Sequence, residues 1–271
     1  MELTNENYYS PQANLEYMSV SQYKSFLDCE AVTMAELRGE YTRGDSTALI
    51  AGNYVHAWNE GTLDTYKEQN ATHIYQKNGK PRADFVKADN MIATLEADSL
   101  CMDFLQGEKE VLLIEEFAGV LWKGKIDVLN YDYGRFVDLK TTRSITELQW
   151  SEKLGQKVSF IEMYNYMTQV AVYAELERRK NDSEHWLTPY VVAVSKEDTP
   201  DHAIISLADE RRIQLELTRI EENMPHIIAV KTGKKEPHRC EKCEYCRQTK
   251  KVSKPIFYTD LGGWMYGQSA K

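Results

Sequence analysis

Three side chains in residues 119–143, GVLWKGKIDVLNYDYGRFVDLKTTR, have the types and spacing to handle phosphate: Asp127, Asp138 and Lys140. Residues 120–129 and 135–141 are rich in β-branched, aromatic and aliphatic side chains. Between them Asn130, Asp132 and Gly134 are residues of a tight turn, so the stretch reads as a β-hairpin. A turn centred on Asp132 and Tyr133 sets Asp127 opposite Asp138, with Cβ atoms about 4.5–5.5 Å apart. Alternation along the strand sends Lys140 from the same face as Asp138 and turns Leu139 to the other. Two facing carboxylates repel, and a hard divalent cation between them, Mg²⁺ or Mn²⁺, is the simplest remedy. Such an ion polarises a phosphoryl oxygen and acidifies a bound water, while a neighbouring ammonium holds that water or offsets charge developing on the phosphate. Asp-x-Lys alone describes many solvated hairpins, so the weight falls on the elements around it.

Those elements begin with a helix capped at Ser19 or Ser21 and ending near Cys29, followed by a short helix over 31–38 and a loop over 39–45. A helical pattern over 47–68 carries Gly52, His56 and Glu60 four residues apart, hence on one face. Gly79 and Pro81 then separate it from an amphipathic helix over 83–104. The strand over 110–117 holds Glu115 and Glu116, of which alternation lets only one face the site. After Thr146 the chain is expected to return to helix, and within 160–179 Gln169 and Tyr173 share a face. Strands over 190–194 and 202–206 precede a long helix over 209–231 with Pro225 as a point of interruption. Residues 1–17 are polar, contain Pro11 and lack periodicity, and read as a loose arm.

The order of these motifs resembles the RecB-like branch of the PD-(D/E)xK nuclease superfamily over residues 19–195. It runs Gly52-x-x-x-His56-x-x-x-Glu60, three strands carrying Asp127 and Asp138-x-Lys140, then Gln169-x-x-x-Tyr173. The resemblance implies an α/β, restriction-endonuclease-like core with a central mixed sheet flanked by helices. It further implies Mg²⁺- or Mn²⁺-dependent hydrolysis of DNA, with His56, Asp127, Asp138 and the Leu139 carbonyl holding metal and Lys140 orienting water. Gln169 and Tyr173 would position substrate. Glu60 could orient a basic partner, and Thr141, Thr142 and Arg143 could reach phosphates. Likeness to phage and prophage RecE-type exonucleases implies 5′ to 3′ action on double-stranded ends, a ring-shaped homo-oligomer and a single-strand annealing protein as partner. Two alternatives stand beside it: a Cas4-like or RecB-like nuclease of other polarity, and a non-catalytic, metal-clasped DNA-binding or scaffold protein.

The second chemical feature is the cysteines. Five is an odd number, which fits a reducing compartment better than a disulfide framework. Cys240, Cys243 and Cys246 stand at ligand spacing, Cys29 is the natural fourth, and Cys101 reads as buried structure. The set resembles the iron-sulfur clasp of Cas4-like nucleases, which implies a 4Fe-4S cluster, although the last gap of the triplet is shorter here. Four thiolates suit Zn²⁺ as well, with His238 a substitute for Cys29 in that case. Residues 231–254 carry nine Lys or Arg against three Glu, a basic segment within a chain of net charge -9. The division expected is an arm over 1–18, a nuclease domain over 19–230, and a cysteine-containing segment over 231–271 that packs back on the first helix. The sequence contains neither an apolar run of about 18 residues nor an evident leader, so a cytoplasmic protein without a membrane partner is expected.

Overall fold

The computed structural model describes residues 2–42, 44 and 47–258. The helices α1 (Pro11–Glu16), α2 (Val20–Asp28), α3 (Glu30–Leu37), α4 (Thr47–Glu60), α5 (Leu63–Gln69), α6 (Ala71–Ile74), α7 (Ala83–Glu96) and α8 (Ser99–Phe104) come first. Strands β1 (Glu108–Phe117), β2 (Val120–Asn130) and β3 (Arg135–Thr142) follow, then a small hairpin of β4 (Gln149–Ser151) and β5 (Gln156–Val158). The chain continues through α9 (Phe160–Met163), α10 (Tyr166–Lys180), β6 (Thr188–Ser195), β7 (His202–Ser206), α11 (Glu210–Lys231) and α12 (Glu244–Gln248).

The main sheet has the order β1-β2-β3-β6-β7, antiparallel except where β6 lies parallel to β3. Val191, Val192, Ala193 and Val194 in β6 are all fully buried, because helices cover both faces of the sheet there. On one side Phe136, Val191 and Ala193 pack with residues of α2, α10 and α11. On the other, Val137, Leu139, Val192 and Val194 pack with α4 and α7. This is the expected α/β arrangement, a mixed sheet flanked by helices. Among the described residues no helix is long and apolar enough to cross a membrane.

Several boundaries depart from the sequence reading, each for a local reason. The helix expected over 47–68 breaks at Gly61, whose φ of 82° leaves the helical region. The one expected over 83–104 divides at Asp98, whose carboxylate accepts from the amides of Leu100 and Cys101 and starts α8. The β4–β5 hairpin occupies part of the stretch expected to be helical after Thr146. Pro225 lies inside α11 without interrupting it.

The largest departure is at the N-terminus, where the expected arm is packed structure. Leu3, Tyr8, Ala13 and Tyr17 form a buried cluster against Leu112 and Ile114 of β1. Lys123, 1% exposed, donates from its ammonium to the Tyr8 carbonyl and, at 2.7 Å, to Asn14 Oδ1. The ammonium of Lys231 donates to Asn14 O, Tyr17 O and Gln22 Oε1 at 2.7–3.0 Å. Burial pushes both lysines down to about 8. Because main-chain oxygens do much of this anchoring, little of it shows in side-chain periodicity. Deleting residues 2–17 is therefore expected to destabilise the protein by at least about 3 kcal/mol, measured by urea denaturation, since it strips buried cations of their acceptors. A loose arm would leave the midpoint where it was.

Candidate active site

The site grows from a row of acids that interrupts the sheet. In the β2–β3 hairpin Asn130 Oδ1 accepts from the Tyr133 amide and Gly134 takes a φ of 58°. Val128, Leu129 and Asn130 consequently pair with Val137, Phe136 and Arg135. The next residues in that register, just beyond the last regular pair, are Asp127 and Asp138. The β1–β2 turn is equally tight: Ala118 and Gly119 have φ of 49° and 83°, left-handed at both central positions as a two-residue hairpin favours. With Lys109 paired to Val128 and Val111 to Ile126, that turn stands Glu110 opposite Asp127. Three carboxylates thus cross three adjacent strands in one row.

Regular pairing fails along this row. Glu110 adopts a left-handed φ of 52°, and Asp127 Oδ2 accepts from the Leu139 amide at 2.7 Å, where a regular ladder would present a carbonyl. Ile126 and Val128, two apart, would share a face of a regular strand. Here they lie in different cores, so alternation slips at Asp127.

Helices complete the surroundings. From α4, His56 brings Nδ1 to 3.5 Å from Asp127 Oδ2. Lys140 Nζ lies 2.6 Å from Asp138 Oδ2 and 5.1 Å from the centre of the Tyr166 ring. From α10, Gln169 Nε2 donates to Asp138 Oδ1 at 2.7 Å, fixing the carboxylate from the other side. Gly124 admits this helix: a Cβ there would stand 3.1 Å from the Tyr173 ring. Lys125 Nζ holds Glu110 at 3.2 Å. The cluster opens into a cavity of about 830 Å³ whose wall also includes Tyr8, Tyr9, Ser19, Lys24 and Glu60.

The electrostatics are those of crowded like charges offset by three basic groups, His56, Lys125 and Lys140. Burial favours the neutral acid throughout, but His56 and Lys140 outweigh it at Asp127 and hold that carboxyl below its usual range. At Asp138 burial prevails, aided by the Asp127 charge and opposed by Lys140, and its pKa rises. Burial and Asp127 likewise raise Glu110, against Lys125. At Lys140 burial works against the charge, yet Asp138 and Asp127 overcome it and keep the ammonium protonated. At His56 burial is similarly outweighed by Asp127, which raises the imidazole.

Asp127, Asp138, Lys140, His56, Gln169 and Tyr173 therefore meet at one cavity, with the Leu139 amide bound to Asp127. The residue missed from the sequence is Glu110, and the Ala118-Gly119 turn was the signal that would have found it. One ligand atom from each of His56, Glu110 and Asp127 lies within 4.8 Å of the others, the spacing of a cation site. Glu115 and Glu116 pair with Trp122 and Leu121 instead, and neither lines the cavity. Nor do the residues after Lys140. Thr142 donates to Ser144 O, Arg143 pairs with Glu147, and Thr141 faces Gly52 of α4.

Away from this cavity the four predicted cysteines converge. Cys29, between α2 and α3, has its Sγ 3.6 Å from that of Cys246 and 3.9 Å from that of Cys243, and Cys240 Sγ lies 4.0 Å from Cys246 Sγ. His238 stays out of the group: its amide donates to Glu30 Oε2 and its carbonyl accepts from Ala31. Cys101 is buried in α8, near an Asp98–His202 pair.

Residues 19–249 match the model of a family described as a PDDEXK-like domain of unknown function (DUF3799). A crystal structure from Eubacterium rectale, described as a candidate exonuclease, is 38% identical with a TM-score of 0.90, covering 98% of this chain and 100% of its own. The crystal structure of SSO0001, 15% identical with a TM-score of 0.28 over 83% of this chain and 92% of its own, is too distant to carry an argument. No protein of curated function matches.

The carboxylate row makes a titration prediction. Asp127→Asn keeps an acceptor for the Leu139 amide but removes the charge that raises both Asp138 and Glu110, so both should titrate lower than in the unsubstituted protein. Carboxyl-carbon NMR of metal-free samples reads this directly, and unchanged values for both acids would show that the row does not interact.

Proposed function

The chain belongs to the PDDEXK-like family whose model it matches, and on that basis we propose that it is a metal-dependent nuclease that degrades DNA from its ends. The observation that carries the reading is the row Glu110–Asp127–Asp138, with Lys140 on its last member, at the floor of an open cavity. A donor set of carboxylates and one imidazole suits Mg²⁺ or Mn²⁺, and burial together with the Asp127 charge raises Asp138 and Glu110 despite Lys140 and Lys125, a cost that a bound cation would relieve. His56, Glu110 and Asp127 would hold the ion, with Asp138 and the Leu139 carbonyl beside them. When bound it would supply Lewis-acid polarisation of the scissile phosphate and a more acidic water.

The protein's own groups have separable tasks. Lys140, kept protonated by Asp138 and Asp127, can donate to an attacking water or to a phosphate oxygen gaining charge. Gln169 locks the Asp138 carboxylate, so that Lys140 and any ion meet it in one orientation. Tyr9, 76% exposed, gives the cavity an aromatic face on which a base can stack, and Lys24 and Lys125 add positive charge for the backbone. Likeness to RecE-type exonucleases supports the finer reading: 5′ to 3′ resection of double-stranded ends in the cytoplasm, by a ring-shaped homo-oligomer working with a single-strand annealing protein.

Asp127→Ala, Asp138→Ala and Lys140→Ala are each expected to lower Mg²⁺-dependent cleavage of linear duplex DNA at least ~100-fold. Circular dichroism should show the fold retained. With 5′- and 3′-labelled duplexes, the 5′ label should be released first. Undiminished cleavage by the double Asp variant would defeat the site assignment, whereas prior release of the 3′ label would reverse the polarity alone.

A further inference from the structure

We infer that the four cysteines hold a single tetrahedral Zn²⁺ ion rather than the iron-sulfur cluster that their likeness to Cas4-like nucleases suggests. The argument is one of size. Zinc binds thiolate sulfur at about 2.3 Å, so the sulfur atoms of a regular tetrahedral site stand roughly 3.8 Å apart. Here the separations are 3.6, 3.9 and 4.0 Å, and one sulfur from each cysteine lies within 4.8 Å of all the others. A 4Fe-4S cube puts a separate iron on each thiolate and spreads the four sulfurs to roughly 6 Å. The sulfurs sit at the edge length of one ion, and a cube would have to force them outward.

The surroundings fit the smaller occupant. Cys243 N donates to Cys240 Sγ at 3.3 Å and Cys246 N to Cys243 Sγ at 3.4 Å, so main-chain amides already stabilise negative sulfur. Glu241 takes a left-handed φ of 58°, which tightens the turn between the first two cysteines. Cys29 and Cys246 are buried, leaving little room for a larger group to swell the site. Four protein ligands close a zinc shell with no open position, the form of a structural site.

Its task would be to tie the end of the chain to its beginning. Cys29 lies between α2 and α3, and α2 carries Ser21 and Lys24 of the cavity wall. Closing a loop of some two hundred residues restricts the unfolded chain as well as ligating the folded one. The inference is independent of the nuclease reading, since it concerns other residues and is read without any cleavage assay.

The test is metal analysis of the full chain, expressed with iron and zinc both supplied and purified without oxygen. The expected result is a colourless protein with about one zinc per chain. Replacement of that zinc by Co²⁺ should produce the intense visible bands of a tetrahedral thiolate site. Cys29→Ser and Cys243→Ser should each lose most of the metal and lower the melting temperature, while Cys101→Ser should do neither. Iron and acid-labile sulfide near four per chain, with broad visible absorption, would overturn the inference. So would the absence of both metals, and full zinc retention by Cys29→Ser would remove that residue from the site.

Discussion

Crowding of Asp127 by Glu110 on one side and Asp138 on the other is the constraint to which the rest of the structure answers. A β-sheet ordinarily avoids like charges directly opposite one another, yet here two tight turns bring three acids into one row. The sheet accommodates them by giving up regular pairing: Glu110 turns left-handed, and Asp127 uses its carboxylate where a ladder would use a carbonyl. What remains is balanced by cations placed from different elements, His56 from α4, Lys125 from β2 and Lys140 from β3. Such local conflict within an otherwise consistent fold is what a functional site looks like.

The surrounding architecture makes the conflict tolerable. β6 is apolar on both faces, and β3 sends Phe136 into one core and Val137 and Leu139 into the other, so the strand carrying Asp138 and Lys140 cannot shift to relieve the charge. Helix α10 adds a second restraint, because Gln169 binds Asp138 while Tyr173 fits against Gly124. The N-terminal segment lines the cavity with Tyr8 and Tyr9 and is held by Lys123 and Lys231. The cysteine group gathers the chain's later segment onto the junction of α2 and α3.

Where the sequence was legible, it was so through short-range rules with strong steric content. The turn residues Asn130 and Gly134 set the β2–β3 register, and with it the opposition of Asp127 and Asp138. Helical spacing turned His56 and Gln169 toward the acids, and ligand spacing picked out Cys240, Cys243 and Cys246, beside which Cys29 lies. The failures come from longer range or from the main chain. Glu110 was missed because its position follows from the Ala118-Gly119 turn, read through a strand whose own alternation breaks at the site. The N-terminal segment looked like an arm because its anchors are carbonyl oxygens meeting lysines over a hundred residues away. The division between α7 and α8 depended on one side-chain cap at Asp98, which a continuous apolar pattern conceals.

The central claim, that the acid row with His56 is a divalent-cation site, is tested most directly by calorimetric titration of Mn²⁺ into the protein and into Glu110→Gln. The account predicts binding to the unsubstituted chain, weakened at least ~10-fold by losing the carboxylate that the β1–β2 turn sets against Asp127. Equal affinity in the two proteins would contradict it, because the ion would then have to sit away from the row.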